Sequence, residues 1–208
     1  MTATELGPKK ERREASDRRM LRAATTLISR NGISGAKLAQ IGVDAGYSPN
    51  LPVQRFGTKT ALLIAVLDGI EERFLRHVET RVGARRGAAA LAERITLQLE
   101  AVRDMPESAI ALYHLIIEST GSMPDLRPGV VRLQAAYRDN LIIYLRQAED
   151  ADELAHGTDV EQAARVISGA ISGMSIQAIV EDRTKALGDE ASDLATLLLA
   201  PVLTAQIR

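Results

Sequence analysis

The chain has no cysteine, no tryptophan and only two phenylalanines, Phe56 and Phe74, in 208 residues. The absence of Cys excludes disulfide scaffolds, thiolate metal sites and cysteine nucleophiles. Strand signals are scarce too. There are few alternating β-branched runs and no Asn-Gly or Asp-Gly hairpin, while apolar residues recur at helical spacing almost everywhere. No apolar run reaches the roughly 18 residues of a membrane helix, and the charged start lacks a signal-peptide core. There is no glycine-rich phosphate loop, no GxSxG elbow and no defensible Ser-His-Asp order, so nothing speaks for an enzyme. The expectation is a soluble, cytoplasmic, all-α protein with no membrane partner, no metal and no cofactor.

What is present is unevenly distributed. Hydrophobic residues make up 46% and charged residues 25%, ordinary for a chain that builds a core, and the net charge is −1. Residues 1–60 hold eleven Lys/Arg against five Asp/Glu, a balance of +6; residues 61–208 hold fifteen against twenty-two, a balance of −7. A basic first quarter on an acidic remainder suits a small module that meets phosphate backbones, carried by a body that does not.

Glycine and proline punctuate about nine helices. Residues 1–15, with Lys9, Lys10, Arg12 and Arg13, have no apolar face and read as a flexible basic arm. A first helix is expected from Ser16 or Asp17 to Asn31-Gly32, with Met20, Leu21, Ala24, Leu27 and Ile28 on one stripe. Helices over about 37–45 and 48–56 follow, the latter with Ser48 as N-cap and Pro49 at its first position. Further helices are expected over 58–82, 88–103, 106–119, 127–148, 159–185 and 190–206, with an acidic loop over 149–159. The layout is the arm (1–15), a basic three-helix head (16–62) and a helical body (63–208).

Residues 38–59, LAQIGVDAGYSPNLPVQRFGTK, carry the one functional pattern. Reading DNA takes a short helix whose exposed N-terminal side chains reach base edges, braced by the helix before it. Leu38, Ile41 and Ala45 supply the bracing face, Gly46 the turn, Tyr47 its plug, and Phe56 the pin at the far end. Pro49, Asn50, Val53, Gln54 and Arg55 are expected to face outward. Asn50 and Gln54 match adenine bidentately, and Arg55 reaches guanine or phosphate. Lys37 and Lys59 are placed for backbone phosphates, and the arm for a minor groove or general attraction.

With these residues in view, 18–68 resembles the N-terminal domain of the TetR family of transcriptional regulators. The resemblance lies in Ala23, Ala24, Leu27 and Gly32 of the first helix, the Ala45-Gly46-Tyr47-Ser48 turn, and Phe56, Gly57, Lys59, Leu62 and Leu63 at the exit. It implies a repressor that a small-molecule effector releases from a palindromic operator, with 16–62 as the helix-turn-helix DNA-binding domain and 63–208 as the effector-binding and dimerisation domain. Three departures stand out. Ala36 replaces a capping Thr or Ser, leaving Ser34 or Gly35 to serve, and Gly42 replaces a helix alanine at a cost of roughly 1 kcal/mol. Pro52, as fourth helical residue, would delete a ladder bond and crowd the Ser48 carbonyl, giving a distorted or 3-10-like first turn. Either the operator is read by an adjusted helix, or the chain is a helical dimer that binds a ligand or protein and has lost specific DNA binding.

For dimerisation the last two helices offer Ile167, Ala170, Ile171, Met174 and Ala178 beside Gly169 and Gly173, and Leu194, Leu197, Leu198 and Val202; the alternative is that both pack into their own core. The resemblance implies a four-helix homodimer interface made from them. It also implies an effector pocket among the middle helices, with Met105, Tyr113, His114, Glu118, Tyr137, Met174 and Gln177 as candidate lining. Core packing or a solvated surface is the competing account of each. Glu153-x-x-His156 is half of a di-iron pattern that needs a second copy, and the chain has none.

Overall fold

The computed structural model describes residues 6–204. Among them the chain forms ten α-helices and one 3-10 turn: α1 (Leu6–Gly35), α2 (Leu38–Asp44), α3 (Leu51–Phe56), α4 (Lys59–Val82), α5 (Gly87–Asp104), α6 (Pro106–Glu118), the turn Pro124–Leu126, α7 (Arg127–Asp150), α8 (Val160–Val180), α9 (Thr184–Asp189) and α10 (Ala191–Leu199). The fold is all-α; the one β feature among the described residues is an isolated bridge between Leu154 and Leu203. The chain divides into two compact units, Met1–Ile70 with Ile110–Val130, and Glu71–Ala109 with Val131–Arg208.

In the first unit α1 begins at Leu6, not at Ser16 or Asp17. Glu14 pairs with both Lys10 and Arg18 one helical turn away, which supports helix where composition alone reads as an arm. Lys10, Arg12 and Arg13 are therefore exposed side chains of a helix; the side chain of Lys9 lies outside the described residues. Gly32, at φ +66°, interrupts α1 where the Asn31-Gly32 stop is expected, and a last turn runs on to Gly35. Met20, Ala24, Leu27 and Ile28 are buried with Ile41, Leu62 and Leu63, so the apolar stripe of α1 is the core of the head. Neither Ser34 nor Gly35 caps α2: extended Lys37 holds that position, and no side chain bonds there.

The second unit is built on α5, which packs against α8, α9 and α10 through Leu91, Ile95, Leu99 and Val102. Its N-terminus is closed from the acidic loop, where Glu153 Oε2 accepts from the Ala88 N–H at 2.7 Å. Gln147 Oε1 accepts from the Gly87 N–H at 3.2 Å. Glu153 is thus a helix cap.

The C-terminal region holds one helix more than the sequence suggests. The helix expected over 159–185 ends at Val180, Asp182 takes φ +54°, and α9 forms separately; α10 stops at Leu199, before Pro201. The α8 helix has 21 residues and contains an 18-residue stretch of mean hydropathy 1.4, long and apolar enough by composition to cross a membrane. Its side chains have a nearer use: Ala164, Ile167, Ile171 and Ala178 are buried in the core of this unit. That corrects the dimer stripe, because Ile167, Ile171 and Ala178 are internal. The outward face of α8 carries Val166, Gly169, Gly173, Ile176 and Val180, and Leu197 of α10 is 70% exposed.

Candidate nucleic-acid interface

The candidate DNA-reading surface of the head is built from α2, a turn and α3. Gly46, at φ +80°, makes the turn, and its N–H bonds the Val43 carbonyl at 2.9 Å while Tyr47 bonds Gly42 at 2.8 Å. The helix after the turn does not start at Ser48. Leu51 N–H bonds the Ser48 carbonyl at 3.1 Å, a 3-10-type closure, and α3 proper begins at Leu51 with Asn50 at the N-cap. Pro52 is the physical reason. Without an N–H it cannot extend the ladder, so the helix starts where the missing donor falls among first-turn N–H groups that need no partner within the helix. The expected 3-10 character is present, displaced to the turn before the helix.

Gly42 belongs to the same arrangement. A Cβ built on it would stand 2.5 Å from the Ser48 carbonyl oxygen, 3.1 Å from Pro52 Cδ and 3.2 Å from Pro49 Cα. The two departures that look independent in the sequence are in contact. Buried Pro52 seats the turn on α2 at a height only glycine permits.

Pro49, Asn50, Val53 and Gln54 are exposed, as are Ser48 and Lys37; Val53 is 48% exposed and apolar, a surface suited to a thymine methyl. Neither Ser48 nor Asn50 caps α3 through its side chain. Arg55 departs from expectation. Its Nε lies 3.1 Å from Asp17 Oδ1, off the hydrogen-bond line, and its NH2 donates to Ser16 Oγ at 3.1 Å. The guanidinium is turned inward to tie α3 to α1. Lys59 likewise donates from Nζ to the Ile33 carbonyl at 2.6 Å, completing the end of α1, and burial lowers its pKa. Phe56 is half-buried, and Thr58 Oγ1 accepts from Ala61 N–H at the start of α4.

The candidate effector residues fall into both units. Tyr113, His114 and Glu118 belong to the first, where Glu118 accepts from Ser122. Met105, Tyr137, Met174 and Gln177 belong to the second. There Tyr137 is buried with its ring 4.8 Å from that of Phe74, Met174 packs on the core, Met105 ends α5 and Gln177 is exposed. None of these seven lines the cleft of about 360 Å³ formed by the end of α4, the turn into α5 and α7. Its walls are Leu75, Val78, Val82, Glu79, Arg85, Arg86, Asn140, Tyr144 and Gln147, with Gly83 and Ala84 between. Beside it Arg94 is fully buried, its Cζ 4.6 Å from the Phe74 ring centroid and 5.8 Å from that of Tyr137. No sequence signal marks Arg94, since an arginine on an amphipathic helix ordinarily faces water.

A short helix braced on another by a glycine turn, with amide side chains outward and a basic helix behind it, defines a helix-turn-helix transcriptional regulator. No family model matches the chain. It is 30% identical over 162 residues to the HTH-type transcriptional regulator BetI of Rhizobium meliloti (strain 1021), covering 74% of this chain and 75% of that protein. A TetR-family transcriptional regulator from Rhodococcus sp. superposes with a TM-score of 0.78 at 20% identity, over 89% of this chain and 98% of that one. The regulator FadR of Bacillus subtilis, solved with stearoyl-CoA, gives 0.79 at 21% identity, over 88% and 97%. The chain belongs to the TetR family of transcriptional regulators.

Proposed function

We propose that the protein is a cytoplasmic, homodimeric repressor that binds a palindromic double-stranded DNA operator and is released by a small-molecule effector. The observation that carries this reading is the outward set Asn50, Val53 and Gln54 on an α3 braced from behind by Pro52 and Arg55. Asn50 and Gln54 read adenine and Val53 a thymine methyl. Ser48, Pro49 and Lys37 meet the backbone, and Lys9, Lys10, Arg12 and Arg13 add phosphate attraction from the N-terminal stretch. Arg55 and Lys59 act as braces of the reading helix.

The dimer forms through the outward face of α8 with α10. Gly169 and Gly173 have open space where a Cβ would stand, so a second helix can approach closely between Val166, Ile176 and Val180. Two-fold symmetry then matches half-sites one helical turn or its multiples apart. The stearoyl-CoA bound by the Bacillus subtilis regulator supports a ligand-gated body. The effector works by population shift, binding the arrangement that does not fit the operator more tightly than the one that does.

A mobility-shift titration of the dimer against the DNA upstream of its own gene tests the reading. Retardation that weakens steeply with salt, and falls about tenfold or more in Asn50→Ala and Gln54→Ala, is the expected result. A folded dimer with no retardation at low salt would overturn it.

A further inference from the structure

Among the described residues no carboxylate neutralises the charge of Arg94. Its Nε donates to Asn140 Oδ1 at 2.7 Å, its NH2 to the Tyr137 carbonyl at 3.4 Å, and its NH1 to Gln98 Oε1. All three acceptors are neutral, the guanidinium stands over the rings of Phe74 and Tyr137, and no carboxylate pairs with it among the described residues. A buried cation with neutral partners is costly, and the cost falls when an anion comes near. Burial lowers its pKa to about 10, which leaves the group charged at neutral pH.

The cleft adjoins this charge. Asn140, which holds the Arg94 Nε, is also a wall of the cleft, and Tyr144 is both a wall and within electrostatic range of Arg94. Arg86 lines the mouth, exposed and without an ion-pair partner among the described residues. Arg85 is committed, donating to the carbonyls of Arg81 and Val82 and lying 3.8 Å from Glu93. Glu79 is the one carboxylate of the wall and is exposed. The aliphatic members of the lining are half-buried Leu75 and, nearly covered behind it, Val78 and Val82.

We infer that this cleft binds a small amphiphilic anion, its carboxylate or equivalent group lying between Arg86 and the Asn140 wall in front of Arg94, and its aliphatic part lying on Leu75, Val78 and Val82. This names the chemical class of the effector and rests on the ligand-released repressor reading.

The test is calorimetric titration of the full chain with octanoate, octanamide and octylamine at neutral pH. Octanoate is expected to bind at least tenfold more tightly than octanamide, octylamine is expected not to bind, and Arg86→Gln is expected to weaken octanoate severalfold. Asn140→Asp places a carboxylate beside Arg94. It is expected to abolish octanoate binding while the melting temperature holds or rises, which loss of folding would not imitate. Equal affinities for octanoate and octanamide, no binding of any of the three, or unchanged octanoate binding in Asn140→Asp would overturn the inference. Operator retention is measured in parallel. Octanoate that binds at the cleft without releasing DNA overturns the effector reading and leaves the anion site standing; release by octanamide as effective as by octanoate does the reverse.

Discussion

Gly42 in the head and Gly87 in the body are both glycines where a Cβ does not fit, and they differ in what presses on them. Gly42 faces main chain, the Ser48 carbonyl and the Pro49 backbone, with Pro52 beside them. Gly87 has φ +55° and faces the tip of a side chain, the Glu153 carboxylate that caps α5. The head thus uses glycine to set the height of the turn before α3 on α2. The body uses it to admit a distant cap. One close approach governs orientation and the other governs stability, so substitutions should separate them.

The largest stability loss is expected from Gly87→Ala. A left-handed alanine costs roughly 1–2 kcal/mol, and displacing the Glu153 cap costs about 1 kcal/mol more. Thermal unfolding should show the combined loss while the folded fraction retains the operator. Gly42→Ala comes next. Overpacking of about 1–3 kcal/mol outweighs the roughly 1 kcal/mol that alanine contributes to helix propensity. Here operator retention should fall at temperatures where circular dichroism shows an intact fold; unchanged retention would erase the contrast between the two glycines. Glu153→Ala isolates the cap, with a loss of about 1 kcal/mol in a urea titration and no effect on DNA.

The smallest stability change, about 0.5–1 kcal/mol, is expected from Arg55→Ala, because Arg55 and Asp17 are partly exposed. If Arg55 is a brace, its removal should weaken all operator variants alike, whereas Gln54→Ala should relax preference at one base position. Binding to a panel of single-base operator changes distinguishes them. A loss confined to one position in Arg55→Ala would return that residue to the reading surface.

The helical class and most helix spans were legible because the apolar 3.6-residue period is local; the stripe of α1 and the long α4 and α7 follow from it. The frame of the reader, Ala45 to Ser48 and Phe56 to Lys59, was legible for the same reason, since a tight turn and its caps need specific residues at short spacing. The start of α3 was not. It depends on Pro52 being accommodated against Gly42, ten residues earlier, which no single-helix rule contains. Nor was the placement of the candidate effector residues in both units legible, since burial and mutual position are set by packing between helices distant in sequence.

The amino-acid sequence by itself determined an all-α chain, a basic head on an acidic body, and a helix-turn-helix at residues 38–59, because period, charge and turn chemistry act over a few residues. Tertiary structure alone decided which polar groups are free to act. It turned Arg55 and Lys59 inward as braces, made Glu153 a cap, placed the apolar stripe of α8 inside and its Gly169 and Gly173 face outside, and left Arg94 buried among neutral acceptors. The physical reason is that a side chain's partner is whatever folding brings within about 3 Å, and those partners come from residues 26 to 65 positions away.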